Sequence, residues 1–391
     1  MRLLFVGVSH RKGEKKMKYR KLGNTGLFVS EIAFGTIPVL QGSIPVLPDY
    51  FNLSEEEALL VMERAFSLGC NLYDTAIVPE YGDAEPKLGE FAKRIGRERI
   101  VISDKARFYD GNELYQAVYT SCENLGTYAD LYFVHQVDAE HEEAVFQKGG
   151  GLDALTELKA EGKIRFAGLA SHYYDILLRG AKDARVDVLQ GSGNLLERGM
   201  LDRIRKEPLF LEKGLLINKV YAAGLLPKFF PVQTLIRFVL SYPISSALIG
   251  LGTVEQVQAA MAEPEKVKEP SLKELSFLEV LSVLGKSYTE APISCDRCQC
   301  CSCPYGTDIS TVFRQHHYFF LGKDHWALKK LALGIEESAE RCRRCVEMPC
   351  LEQCPGRLRI PDEIKRVAKL VQQHRFYSGI KYSSPEKSII S

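Results

Sequence analysis

Charge imbalance is almost absent from this chain: Lys and Arg number 51 against 50 Asp and Glu, a formal net charge of +1. Without a basic stripe or an acidic tail, the chain lacks the electrostatic footprint of a nucleic-acid-binding protein. Long apolar runs are missing too, and none approaches the roughly 20 residues that a membrane-spanning helix requires. Leu3 to Val8 is apolar, but the basic cluster HRKGEKK follows it, whereas a secretory leader carries its basic residues in front of a longer apolar stretch. The expectation is a cytoplasmic protein with no membrane span. Cysteine is scarce over most of the length, with only Cys70 and Cys122 before residue 290, and then nine lie between Cys295 and Cys354. In a reducing compartment such crowding points to metal or cluster ligation rather than disulfides.

What is present suggests more than one domain, since 391 residues with 46% hydrophobic composition can bury a substantial core. Residues 1–16 show no periodicity and read as an extension ahead of Met17. Asn24-Thr25-Gly26, between KYRKL and LFVSEIAFG, suggests a small hairpin leading into a buried strand at Ile32 to Thr36. A regular alternation follows. Further strand-like segments near Leu72, Ile100 to Lys105, Asp130 to Val137, Arg165 to Ser171, Val186 to Gln190, Leu215 to Tyr221 and Ser246 to Leu251 alternate with helix-like runs. In the run Asn112 to Gly126, Leu114, Val118, Cys122 and Leu125 share one face, which reads Cys122 as a core residue. Strand and helix in turn, eight times over about 250 residues, is the pattern of a (β/α)8 TIM barrel. A doubly wound sheet would want a glycine-rich turn after its first strand, and there is none.

In such a barrel the strands' C-terminal ends open on one face. Asp74, Lys105 and His135 end consecutive strands, and Tyr81 lies in the loop after Asp74. Singly, each has a structural explanation: a loop Asp caps, a Lys snorkels, a strand His is a satisfied core group. Together on one face they point to catalysis.

The segments KYRKLGNTGLFVSEIAFGT, YDTA…YGDAEPKLGE, ISDKA, DLYFVHQVD, ALTELKAEGKIRFAGLASH and ALIGLGTVEQV resemble the aldo/keto reductase family in its iron–sulfur-bearing branch, from about Met17 to about Ile360. The resemblance implies a catalytic tetrad of Asp74, Tyr81, Lys105 and His135. Hydride transfer to a carbonyl builds an alkoxide that must be protonated, and a phenol with an ordinary pKa of about 10 needs a neighbouring cation to act near neutrality. Lys105 would lower the phenol, Asp74 would hold Lys105, His135 would orient the carbonyl oxygen, and a nicotinamide would supply the hydride. The resemblance also implies cofactor contacts from Ser171, His172 and Gln190, and from Gly250, Gly252, Thr253 and Gln256 in the dinucleotide-phosphate loop. That loop, Gly250 to Gln258, contains no Lys or Arg, so NADP and NAD both stay open. Six residues, Thr75 to Glu80, separate Asp74 from Tyr81, more than relatives commonly have.

After the charged passage AEPEKVKEPS, Ser271 and Glu274 form a capping-box pattern for a helix through Leu284. Then come CDRCQCCSCP and CRRCVEMPCLEQCP, each closing in Cys-Pro. Thiolates at two-residue spacing wrap one corner of an iron–sulfur cube, with zinc as the competing reading. Following two-cluster ferredoxins, in which the Cys before Pro ligates the other cluster, the expected sets are Cys295, Cys298, Cys301 and Cys354, and Cys342, Cys345, Cys350 and Cys303. Cys300 could replace Cys301. Pro361 at a helix start and the segment Ile309 to Leu333 suggest helices carrying these loops. The expected organisation is an extension at 1–16, a barrel at 17–264, a linker and helix at 265–290, and a mainly α-helical, ferredoxin-like domain with two [4Fe-4S] clusters at 291–391.

Three functions fit this reading. The barrel exchanges electrons with the clusters and a ferredoxin or other redox partner, or it is an ordinary carbonyl reductase with structural clusters. In the third, the barrel has lost catalysis and serves electron transfer or assembly.

Overall fold

The computed structural model describes residues 17–42, 51–261, 276–286, 292–322 and 325–378. The chain forms two compact units. Residues 1–16, and with them the expected extension, lie outside the described residues, as do Ser271 and Glu274.

Unit 1 comprises Met1–Leu195, Met200–Tyr221 and Phe230–Glu274. Strands β1 (Tyr19–Lys21) and β2 (Phe28–Ser30) pair antiparallel as the hairpin read from Asn24-Thr25-Gly26. Then follow β3 (Ile32–Gly35), α1 (Glu55–Ser67), β4 (Leu72–Asp74), α2 (Ala84–Ile95), β5 (Val101–Ala106), α3 (Gly111–Leu125) and β6 (Ala129–Val137). Continuing, there are α4 (Glu142–Phe146), α5 (Gly151–Ala160), β7 (Ile164–Ser171), α6 (Tyr174–Lys182), β8 (Val188–Ser192), α7 (Gly199–Ile204) and α8 (Leu209–Glu212). The series ends with β9 (Gly214–Asn218), α9 (Val232–Leu240), β10 (Ser246–Gly250) and α10 (Val254–Met261). Strands β3 to β10 close into an eight-stranded parallel barrel, β10 pairing with β3.

The barrel's lower core joins Ala33, Leu72, Val101, Leu131, Val188, Leu216 and Leu248 with Leu22 and Val29 of the hairpin. The hairpin thus seals the N-terminal end of the barrel with apolar surface and leaves the other end for chemistry. Helix starts follow their capping residues. Ser54 and Glu57 exchange bonds in a capping box at α1, and Asp110 accepts from the amides of Asn112 and Glu113 at α3. Gly126, at φ +62°, ends α3 in the left-handed region that glycine adopts without strain. Two details differ from the sequence reading. Cys122 is only half-buried, its thiol 3.7 Å from the Lys163 carbonyl. The helix-like run ahead of the strand-like segment Leu215 to Tyr221 is two short helices, because Pro208 lacks an N–H and restricts the residue before it.

Unit 2 comprises Leu196–Gly199, Ala222–Phe229 and Leu275–Ser391. Its described residues are mainly helical: α11 (Phe277–Lys286), α12 (Ile309–His316), a π-helical turn His317–Leu321, α13 (His325–Arg344), α14 (Pro349–Gln353) and α15 (Ile360–Ser378). The Ser276 hydroxyl accepts from the Glu279 amide at 3.2 Å while the Glu279 carboxylate accepts from the Ser276 amide at 2.6 Å, a capping box that starts α11. Phe313, Phe320, Leu328, Leu331, Ile335, Ile364 and Val371 supply its buried apolar surface.

Candidate functional site

Parallel register puts the tetrad candidates side by side at the C-terminal end of the barrel. Asp74 closes β4 and pairs with Ser103 of β5, while Lys105 pairs with Phe133, two residues before His135 on β6. Asp74 and Lys105 are both buried. The Lys105 ammonium donates to Asp74 Oδ2 at 2.6 Å and to the Thr75 carbonyl at 2.6 Å. Asp74 Oδ1 accepts from the Ser103 hydroxyl at 2.7 Å and from Gln190 Nε2 at 3.1 Å. The carboxylate is therefore fully engaged, and it fixes the ammonium in place. Burial works against the Lys105 charge, but Asp74, then Tyr81, more than offset it, so its pKa is raised.

Tyr81 ends a short 3-10 turn, Pro79–Tyr81, and the Lys105 ammonium lies 5.0 Å from its ring centroid. Burial raises the phenol above its ordinary value, and Lys105 pulls it down only in part. This differs from the sequence reading, in which the cation sets the phenol's acidity: desolvation wins here. Burial, then Lys105, Arg107 and Lys219, hold the His135 imidazole well below the usual histidine range, so it is neutral. Its Nδ1 is buried without a hydrogen-bond partner.

The expected cofactor contacts fall on neighbouring strands. The Ser171 hydroxyl donates to the Val137 carbonyl at 2.6 Å, and His172 Nδ1 lies 2.8 Å from Gln136 Nε2. Gln190 spends its amide nitrogen on Asp74, while its Oε1 is buried and unpartnered. Ser192 Oγ and Asn218 Oδ1, at the ends of β8 and β9, are also buried and unpartnered. Neither was singled out in the sequence, although each is a polar residue at the end of a buried strand. Buried orphan atoms of this kind are costly unless a ligand satisfies them, so the open end of the barrel fits an amide-bearing ring such as a nicotinamide. At the loop after β10, Gln256 Oε1 accepts from the Gly252 amide at 2.8 Å and Thr253 Oγ1 from the Gln256 amide at 3.2 Å. Gly250 and Gly252 both lie against Pro38, where an added Cβ would come within 3.1 Å of its ring.

In unit 2 the crowded cysteines lie near one another in two groups. Cys295, Cys298, Cys301 and Cys354 line one cavity of about 130 Å3 together with Phe313, Ile309 and Ile360. Burial raises the Cys301 thiol, and Cys354, Cys298 and Cys295 raise it further, which records their mutual proximity. Cys342, pushed up to about 11, responds first to burial and then to Cys303, Cys350 and Cys345. Cys300 is exposed and does not line the cavity. Amides of Met348 and Leu358 point at the sulfurs of Cys345 and Cys354, at 3.4 and 3.3 Å. Left-handed residues Arg297, Gln299, Met348 and Arg357 turn the backbone inside and beside these loops. None of the eleven cysteines, all of them among the described residues, is in a disulfide. Among the described residues no three His, Cys, Asp or Glu side chains converge as a site for a single metal ion.

Residues 31–220 match the aldo/keto reductase family. The barrel belongs to that family. It is the barrel of an NAD(P)-dependent oxidoreductase of the aldo/keto reductase type. L-galactose dehydrogenase of Arabidopsis thaliana is 26% identical over 316 residues, covering 69% of this chain and 95% of that enzyme. An aldo-keto reductase from Gibberella moniliformis is 30% identical over 201 residues, 47% of this chain and 58% of that protein. Among solved structures, the holo form of an aldo-keto reductase from Bacillus halodurans superposes with a TM-score of 0.54 at 20% identity, covering 68% of this chain and 95% of that one, a likeness of fold. The family match ends at residue 220, ahead of the crowded cysteines.

Proposed function

We propose that the barrel transfers hydride between a nicotinamide dinucleotide and a small carbonyl or alcohol substrate, with Tyr81 as proton donor. We also propose that the two cysteine sets hold [4Fe-4S] clusters relaying electrons to a ferredoxin or another redox protein. The observation that carries the first reading is the Lys105 ammonium, locked at 2.6 Å by Asp74 and 5.0 Å from the Tyr81 ring, with neutral His135 on the next strand. When bound, the nicotinamide supplies the hydride. Lys105 stabilises negative charge growing on the Tyr81 oxygen as its proton leaves, Asp74 keeps Lys105 protonated, and neutral His135 orients the substrate oxygen by donating a hydrogen bond. Gln190, Ser192 and Asn218 offer polar atoms to the ring's amide. For the clusters, the support is the grouping of the thiols, the cavity under one set and the amides aimed at sulfur.

Anaerobically purified protein should contain iron and sulfide at about eight atoms each per chain. Stoichiometric zinc without sulfide would remove the cluster reading. With NADPH or NADH and 4-nitrobenzaldehyde or methylglyoxal, Tyr81→Phe should lower turnover by about 10² to 10⁴ while nucleotide affinity stays nearly intact. Reduction of the clusters by NADH, followed by bleaching of their absorbance, tests whether the two centres communicate.

A further inference from the structure

With six residues between Asp74 and Tyr81, the intervening segment must fold back for the phenol to reach Lys105. Its first half continues β4 alongside β5: the Thr75 amide donates to the Ser103 carbonyl at 2.8 Å and the Ile77 amide to the Lys105 carbonyl at 3.0 Å, with Ile77 bridged to Ala106. The chain then turns at Pro79. The turn itself is slight, held by the Tyr81 amide on the Val78 carbonyl at 2.9 Å and the Gly82 amide on the Pro79 carbonyl at 3.3 Å. Three-residue 3-10 turns have poor hydrogen-bond geometry and do not fix a side chain on their own.

An ion pair supplies what the turn lacks. Arg107, two residues beyond Lys105, places both terminal nitrogens on Glu80 Oε1 at 3.3 and 3.2 Å, and Glu80 immediately precedes Tyr81. The Glu80 side chain is only 20% exposed, and its second oxygen is buried without a partner. A carboxylate so placed depends on Arg107 for compensation, which makes the pair costly to open. We infer that Glu80 and Arg107 are positioning residues that clamp the Tyr81 turn to the strand carrying Lys105, so that the longer loop still delivers the phenol to the ammonium. This rests on Tyr81 being the proton donor; neither clamp residue touches the reacting atoms.

Steady-state kinetics with NADPH and 4-nitrobenzaldehyde, together with hydrogen exchange of the segment 78–82, test the clamp on the full chain. Glu80→Gln and Arg107→Ala should each lower kcat about 10- to 100-fold with little change in nucleotide affinity, as expected for displacement of a reacting group by about an ångström. The charge-swapped double variant Glu80→Arg/Arg107→Glu should recover most of kcat. In a Tyr81→Phe background, Glu80→Gln should cost nothing further, because the clamp acts through the phenol. Amides of Tyr81 and Gly82 should exchange faster in both single variants. Full kcat or unchanged exchange in the single variants, with Tyr81→Phe impaired, would overturn the clamp and leave the catalytic reading standing. A silent Tyr81→Phe, or no turnover by the parent protein, would overturn both.

Discussion

Tyr81 holds its proton more tightly than a free phenol because burial outweighs Lys105, with Asp74 and Asp104 adding to the rise. Carbonyl reduction consumes the protonated phenol. Its rate should therefore stay level through neutral pH and fall only above the ordinary phenol value of about 10. Lys105→Met removes the one lowering charge and should move that alkaline limb upward while reducing the rate. A limb below about pH 9 in the parent protein would assign the proton to another group. His135 works in the opposite sense: its folded pKa lies below its unfolded one, so its contribution to stability is complete above about 6.5 and is lost as pH falls toward the folded value. Asp74, Lys105 and His135 were legible because ionisable residues ending apolar strands stand out against the strand. The balance at Tyr81 was not, since desolvation depends on packing from residues remote in sequence.

Helix α2, which follows the Tyr81 turn, is read easily from its periodicity, but its seating is not. A Cβ built on Gly89 would lie 2.3 Å from the Leu125 carbonyl oxygen and 2.7 Å from its carbon, both backbone atoms at the end of α3. Sequence alone makes Gly89 a weak point in a helix, worth about 1 kcal/mol less than alanine. The packing reverses that sign: Gly89→Ala should destabilise the protein by about 1 to 3 kcal/mol by forcing α2 away from α3. A urea midpoint that rises in this variant would show that the helices part without strain. The eight strands, the hairpin and most helices followed from hydrophobic period and turn residues, whereas the division at Pro208 required weighing one proline against a longer pattern. The Glu80–Arg107 pair escaped notice because its partners lie on different loops, 27 residues apart.

At the scale of the whole molecule, the compact units do not follow chain order. The chain leaves unit 1 at Leu196 and again at Ala222 before leaving it for good at Leu275. Within unit 2, Glu197 accepts from Arg297 at 2.8 Å with both side chains almost fully buried, and the Gly199 amide donates to the Asp296 carbonyl at 2.9 Å. Removing one partner of such a pair costs about 3 to 5 kcal/mol. Arg297→Met should accordingly make the Cys295–Cys303 loop more open to limited proteolysis, and Glu197→Gln in the same chain should restore much of the resistance. Cysteine spacing drew attention to the crowded thiols, but a contact spanning 100 residues leaves no local pattern. An added Cβ on Gly199 would meet the Cys298 backbone at 2.5 Å, so that position accepts no other residue without moving the loop. The cysteine-bearing region is therefore not a transferable cassette: a gene fusion carrying residues 275–391 to another barrel would take every crowded thiol along, yet leave behind the carboxylate facing Arg297 and the glycine beside Cys298.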